Sequence, residues 1–489
     1  MVCYSCHADN LPEDSEYCPF CGIKLFVECP KCGHRHSSQF PICNKCGTNR
    51  KKFLEEKERQ ECLDLWFKLT GSYKGTTIIE NQRKSVSSRI VIPDGVTEIG
   101  YSAFSGCTGL TSIVIPHSVT KIGKSAFFGC TGLTSIEIPG SVTSIEYFAF
   151  RDCTGLTSIE IPNSVTKIED WAFIGCTGLT SIEIPDSVTE IGEGAFSYCT
   201  ELTSIVIPQS VTSIGNEAFH GCKGLTSIVI PHSVTKIGES AFSGCTGLTS
   251  IVIPDSVTKI GRYAFRGCTG LTSIEIPDSV TKIGRSAFRG CIGLTSIQIP
   301  EGVTEIEGTT LIDCTALSEI LISEKNRSYR SMGNCCLTAD GRTLVFGCKD
   351  SVIPEGVSEI GSDAFKSCPG LTTIKIPDSV TKIGHFAFSD CTGLTSIQIP
   401  EGVTEIGIAA FKGCTGLTTI KIPEGVTEIK YEAFSGCTGL TSIEIPDSVT
   451  EINERAVYYN CSSLKEIRLH NRRLIDLLPD KLRDKVVLI

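Results

Sequence analysis

No run of 18 apolar residues occurs in this chain of 489, because prolines return at short, regular intervals. A helix that crosses a bilayer needs ~20 such residues, so the sequence excludes a membrane-spanning helix. The opening Met1-Val-Cys-Tyr-Ser-Cys lacks the basic and apolar regions of a secretory leader, and no anchor signal stands near Ile489. The expectation is a cytoplasmic protein with no membrane insertion. Positive charge is scarce as well. Lys and Arg number 45 against 55 Asp and Glu, a formal net charge of −10, which argues against general nucleic-acid binding by the body of the chain. No nucleophile–base pairing, phosphate loop or open metal site emerges, and near-identical segments do not assemble unlike residues at one place; the expectation is a protein that is not an enzyme.

What stands in place of these features is repetition. The stretch Leu110-Thr-Ser-Ile113-Val-Ile115-Pro-His-Ser-Val119-Thr-Lys-Ile122-Gly-Lys-Ser-Ala126-Phe127-Phe-Gly-Cys130-Thr-Gly is 23 residues long, and near-copies continue, with one interruption, almost to the C-terminus. A fixed period in this range signals a solenoid. It overrides the three or so globular domains that length alone suggests. Leu-x-x-Ile-x-Ile reads as a short strand with one buried face. Pro116 has no N–H to donate and ends it. Val119 and Ile122 turn inward in a second extended piece, Gly123 allows a bend, and Ser125-Ala126-Phe127-Phe128 reads as a helical or 3₁₀ turn. One coil cannot bury these residues alone; stacked coils make them continuous ladders.

The ladders are plain in the sequence. Phenylalanine recurs from Phe104 and Phe127 to Phe288, and again from Phe365 to Phe434, with Leu311 and Val457 in the same column. Cysteine recurs from Cys107 to Cys461 and takes fifteen of the 27 cysteines. Two readings of that column are open: a small buried hydrophobe multiplied by duplication, or a ladder of disulfides or metal ligands on rungs ~4.8 Å apart. The unit Leu-x-x-Ile-x-Ile-Pro-x-x-Val-x-x-Ile-Gly-x-x-Ala-Phe-x-x-Cys resembles the BspA-type leucine-rich repeat over roughly residues 90–469. The resemblance implies a right-handed solenoid with a parallel sheet on one face, mainly β with short helical or 3₁₀ turns, and a role in adhesion or protein interaction, often at the cell surface.

Residues 1–47 carry a different chemistry. Cys3-x-x-Cys6, Cys18-x-x-Cys21, Cys29-x-x-Cys32 and Cys43-x-x-Cys46 are four tight pairs of thiols. Two residues between thiolates let one turn present both to a single ion, and two such turns complete a tetrahedral site. The segment is too short for a core of its own, so metal would largely fold it; a disulfide knot is the competing reading. It resembles a tandem zinc ribbon, and the expectation is two structural Zn2+ ions with closed four-sulfur sites. Residues 48–71 read as a linking helix through Phe53, Leu54, Leu63, Trp66 and Phe67. Residues 72–89 read as a polar linker and N-cap. The basic cluster Lys45, Arg50, Lys51 and Lys52 makes residues 1–52 the place where nucleic acid would bind, if any does.

The period breaks once. Ile322 and Ile353 are 31 residues apart instead of 23, and Cys336 to Phe346 reads as a hairpin on an Asp340-Gly341 turn, an insert near 323–352. BspA-type arrays contain similar hairpin inserts. Cys335, Cys336 and Cys348 lie here outside the column, without metal-ligand spacing. Residues 470–489 read as a C-terminal cap, a short helix interrupted at Pro479 followed by a last strand.

Function is sought in the positions that vary between coils. The exposed strand position runs Glu137, Glu160, Glu183, Val206, Val229, Val252, an acidic strip beside an apolar one. Drift of solvated positions is the bland alternative. Lys259, Arg262, Lys282 and Arg285 form a basic stripe expected on the opposite turns. The reading is a non-enzymatic intracellular scaffold that binds a protein partner through the solenoid, with the zinc modules as accessory docking elements. A nucleic-acid- or ribosome-associated protein and a cell-surface adhesin are the alternatives.

Overall fold

The computed structural model describes residues 88–489 except 454 and 458, and before them the strands Phe26–Glu28, Arg35–Ser37 and Thr77–Ile78. The eight N-terminal cysteines, the expected linking helix and most of the 72–89 linker lie outside the described residues. Phe26–Glu28 and Arg35–Ser37 pair antiparallel in the register Phe26↔Ser37. Thr77–Ile78 pairs parallel with Glu98–Ile99, so the linker carries the first strand of the stack.

One coil shows how the period is used. Ser112–Val114 is a strand with Ile113 buried and Val114 exposed, and it stops before Pro116. Lys121–Ile122 is a second, two-residue strand with Ile122 buried. Repeated coil after coil, the first kind of strand builds sheet A and the second builds sheet B. Both are parallel and in register at 23-residue steps, as in Ser158↔Ser135 and Lys167↔Glu190. Side chains alternate across each strand, so Leu110, Ile113, Ile115, Val119, Ile122, Ala126, Phe127 and Cys130 all lie inside. Their neighbours in the stack are copies of themselves. The phenylalanine rings stack with centroids 5.2–5.6 Å apart and planes within 13°.

The helical or 3₁₀ turn expected at each Ala-Phe pair is a different structure. Alternate amides of the segment go to different acceptors. Ser125, Phe127 and Gly129 donate to the carbonyls of Tyr147, Ala149 and Arg151 in the next coil, whereas Ala126, Phe128 and Cys130 donate three residues back within their own coil. A helix would keep every N–H in its own chain. Left-handed φ values at Ser125 (56°) and Gly129 (67°) turn every second peptide outward and make a third ladder along the stack. Glycine matters where coils approach most closely: a Cβ at Gly215 would lie 2.6 Å from the backbone carbon of Gly192 in the preceding coil.

The only 3₁₀ helices among the described residues are Arg472–Leu477 and Asp480–Lys485, on either side of Pro479. Val486–Leu488 then pairs with Glu466–Leu469 and closes sheet A. Leu474, Leu478 and Leu482 pack on the last coils.

The insert holds two hairpins where one was expected. Tyr329–Met332, Cys335–Thr338 and Thr343–Gly347 form an antiparallel meander. Its first turn is Gly333-Asn334, with φ of 60° and 56°, the left-handed pair that a two-residue hairpin loop requires. Thr343–Gly347 then pairs parallel with Glu359–Ile360 and restarts sheet B. The meander divides the hydrophobic interior in two. Cys336, Phe346 and Cys348 pack into the core that begins at Ile90, and Cys335, Leu337 and Leu344 into the core that ends at Leu482. Where Leu311 stands in the phenylalanine column, a cavity of about 40 Å³ remains against Phe346 and Phe365, room for water and for nothing larger.

Candidate protein-docking face

Of the two readings of the cysteine column, the small buried hydrophobe fits the described coils and the disulfide ladder does not. Its thiols in the described coils are free and nearly all buried. All but Cys107 and Cys368 donate Sγ–H to the carbonyl of the phenylalanine one coil back, as Cys130 does to Phe104 at 3.1 Å and Cys222 to Phe196 at 3.1 Å. Burial pushes the thiols of Cys176, Cys222 and Cys268 up to about 12, so they carry no thiolate to react or to ligate. The column is structural. The insert brings Cys348 and Cys335 to either side of the Ser351 hydroxyl, but no cluster of three metal-ligating side chains forms among the described residues. Cys335 and Cys336 face different cores, the Cys335 thiol donates to Gly333 at 3.5 Å, and burial pushes it up to about 11.

The exposed column of sheet A is a real strip. Glu137, Glu160, Glu183, Val206, Val229 and Val252 lie side by side in one register, and Val91 and Val114 precede them. The strand geometry places them outward because each follows a buried isoleucine. Val206, Val229 and Val252 are 71%, 69% and 65% exposed. Among the described residues no cation pairs with Glu137, Glu160 or Glu183. Stacking three carboxylates in register without counter-charges costs the fold a little, and nothing in the coil requires it. Shallow troughs of about 550 Å³ and 610 Å³ run along this face, one from Val91 to Glu137, the other from Val252 to Leu321, with Asp94, Asp255 and Asp278 on their walls.

The basic stripe is split by the structure. Lys259 and Lys282 stand in register on sheet B, not on the turns, while Arg262 and Arg285 lie at the entry to the turn ladder. Lys282 is bound by Glu307 at 2.6 Å and Glu305 at 2.9 Å, and hydrogen bonds to both hold its ammonium above the ordinary range. Arg262 leans over the Tyr263 ring at 5.4 Å, and the Arg285 amide donates to Glu307 at 2.8 Å. Lysines elsewhere on sheet B are matched in the same way, Lys121 with Glu98 and Glu146, and Lys382 with Glu359 and Glu405. Lys236, Lys259 and Lys282 stand in register as three like charges, and of these only Lys282 is answered by carboxylates among the described residues.

The turn face also carries an aromatic cluster that the repeat pattern does not mark. Phe128, Tyr147, Phe148, Trp171 and Tyr198 occupy columns that hold serine, glycine or charge in most other coils. That departure from the local consensus, in successive coils, was the available signal. Here, however, the rings are occupied. Arg151 covers Phe128 and Phe148 at 5.3 and 4.9 Å, Lys124 covers Tyr147 at 5.0 Å, and the Tyr198 hydroxyl is 3.0 Å from His220 Nε2. The sheet A strip joins an unpaired carboxylate run to an exposed apolar one, and among the described residues no ion pair answers its charges.

A family model described as BspA type leucine rich repeat region (6 copies) matches residues 81–201, 128–249, 235–339 and 347–474. A leucine-rich repeat protein from Bacteroides ovatus of known structure is 31% identical over 81% of this chain and 94% of its own, with a TM-score of 0.57. A leucine rich cell surface protein from Faecalibacterium prausnitzii is 32% identical over 82% and 92%, with a TM-score of 0.46. A leucine-rich repeat protein from Eubacterium ventriosum is 24% identical over 64% and 80%, with a TM-score of 0.50. No curated protein matches the chain.

Proposed function

This chain belongs to the BspA-type leucine-rich repeat family, and from that premise we propose that it is a non-enzymatic, intracellular scaffold that binds a protein partner across sheet A. The observation that carries the proposal is the in-register strip of unpaired glutamates and exposed valines from Glu137 to Val252. A rigid sheet presents these side chains without further ordering, which lowers the cost of association. The relative from Faecalibacterium prausnitzii, described as a cell surface protein, supplies the second reading, a surface adhesin, and fractionation of host cells decides between the two locations.

The N-terminal module holds two structural Zn2+ ions in this proposal. The donor set suits zinc: eight thiols in four Cys-x-x-Cys pairs make two closed tetrahedral sites. The strands Phe26–Glu28 and Arg35–Ser37 pair antiparallel, and the residues joining them include Cys29 and Cys32. Mass spectrometry of the intact chain under non-denaturing conditions counts the ions; fewer than two in a zinc-loaded sample refutes this part.

The docking face is tested by charge reversal. The variant E137K/E160K/E183K should melt with the parent and fail to recover the partner that the parent captures from host extract. Retained capture in that variant, with loss on neutralising Lys259, Arg262, Lys282 and Arg285, would move the interaction to sheet B and the turns.

A further inference from the structure

We propose that the segment of the partner lying on sheet A is a helix parallel to the stack, with cationic side chains on three successive turns and apolar ones on the next three. The proposal rests on the docking reading above and gives the partner a chemistry. Charge sets the first half. Glu137, Glu160 and Glu183 are in register, exposed and without a cation among the described residues, and Asp94, Asp255 and Asp278 add negative charge along the neighbouring troughs. An anionic partner is repelled here, and a cationic one is drawn in. The second half follows from the next three rungs, where Val206, Val229 and Val252 offer an apolar surface of the same width.

Spacing selects the helix. From Glu137 to Val252 there are five rung intervals, about 24 Å at the spacing of parallel strands. Six turns of α-helix place their facing side chains across about 27 Å, so one residue per turn stays over one rung along the whole strip. An extended chain places alternate side chains ~6.6 Å apart and overshoots the same strip by roughly 9 Å, losing register after two rungs. Strand addition is also unavailable along the middle of the strip, because the strands of Glu160, Glu183, Val206 and Val229 are paired on both sides. The mode is therefore a helix laid into a shallow groove, read by one anchor per turn.

The test uses synthetic helical peptides and the full chain. The block peptide carries lysine once per turn for three turns, then leucine once per turn for three turns. An interleaved peptide has the same composition with lysine and leucine alternating from turn to turn, and a third carries a proline in the middle of the block sequence. Binding is measured by fluorescence anisotropy at two salt concentrations. The block peptide should bind at least tenfold more tightly than either control. E137K/E160K/E183K should reduce it to the level of the interleaved peptide, and V206S/V229S/V252S should weaken it while leaving the salt dependence in place. Both variants are checked for an unchanged melting curve. Equal binding of block and interleaved peptides would reduce the effect to attraction by a chain of net charge −10 and overturn the proposal, and equal binding of the proline peptide would overturn the helix. If no peptide binds and yet both triple variants lose the partner captured from host extract, the docking face stands and the helical partner falls.

Discussion

The two hydrophobic cores on either side of the meander are built from the same coil but dressed differently. Inside, they match: nine stacked phenylalanines from Phe104 to Phe288 in the first and four from Phe365 to Phe434 in the second, at the same spacing. Outside, they diverge. In the first, the sheet A column carries carboxylates and valines with nothing over them. In the second, the same column carries Lys375, 3.6 Å from Glu355, and Lys421, 3.7 Å from Glu401 and 3.6 Å from Glu444. Duplication copies both columns at first. A change in the inner column then leaves a cavity or a clash, whereas a change outside is nearly free. The outer column is therefore free to vary, and its stretch of unpaired carboxylates and exposed valines lies in the first core.

The largest effect should come from breaking one core and watching the other. Phe219→Ala empties a fully buried site at the middle of the first ring stack and should cost ~3–5 kcal/mol. Hydrogen exchange read by mass spectrometry should show faster opening around Ile205 to Ile237 and unchanged protection from Ile374 to Ile420. Equal loosening on both sides of the meander would mean a single cooperative stack and end the comparison.

An intermediate effect should come from alkali. The ordinary pKa of the thiol is 9.0, and burial raises Cys176, Cys222 and Cys268 to about 12. The folded state thus keeps its protons where the unfolded chain loses them. This stability is fully present below pH 9 and is lost as pH rises from there towards 12. The first core holds ten column thiols, Cys107 to Cys314, and the second five, Cys368 to Cys461. Urea midpoints followed by Trp171 fluorescence, in a Trp66→Phe background, should fall above pH 9 more steeply than those of the second core followed by exchange after a brief alkaline pulse. Replacing Cys176, Cys222 and Cys268 by alanine should flatten the Trp171 dependence; a slope unchanged by that replacement would show that the thiols do not carry it.

The smallest effects belong to the outer columns. Lys421→Ala breaks exposed ion pairs worth ~0–1 kcal/mol, and Val229→Thr changes a surface position by ~0.5 kcal/mol or less. Thermal melts should scarcely separate either variant from the parent. A large destabilisation by Val229→Thr would make the valine strip structural and remove it as a docking face.

What was legible in the sequence is what repeats. The inner columns follow from period two within a strand and period 23 between coils, and the break between Ile322 and Ile353 follows from the same count. The geometry of the Ala-Phe turn was not legible. Ser125 to Phe128 suits a helical turn locally, and the acceptors that decide otherwise, the carbonyls of Tyr147 and Ala149, lie 22 residues along the chain. The Gly333-Asn334 turn is a weaker hairpin signal in the sequence than the Asp340-Gly341 pair, because its residues stand in the reverse of the favoured Asn-Gly order. The candidate face was legible as a column of varying residues, but not its state of pairing. Lys282 and Glu307 meet only because adjacent coils bring residues 25 apart together, so the sequence shows charges without showing which of them are answered.

Each coil touches only the coil before it and the coil after it, through backbone ladders, rings and thiols that all advance by the same step. The gene can therefore change the protein in whole units. Removing residues 180–202, one period of 23, would bring Leu179 to Thr203 as Leu202 now meets it, restore every ladder across the cut, and shorten the array by ~4.8 Å. Removing one residue fewer would send a strand's inner face outward. Copy number is thus a heritable length setting, and any ligand read across several rungs sees its span change in fixed increments as coils are gained or lost.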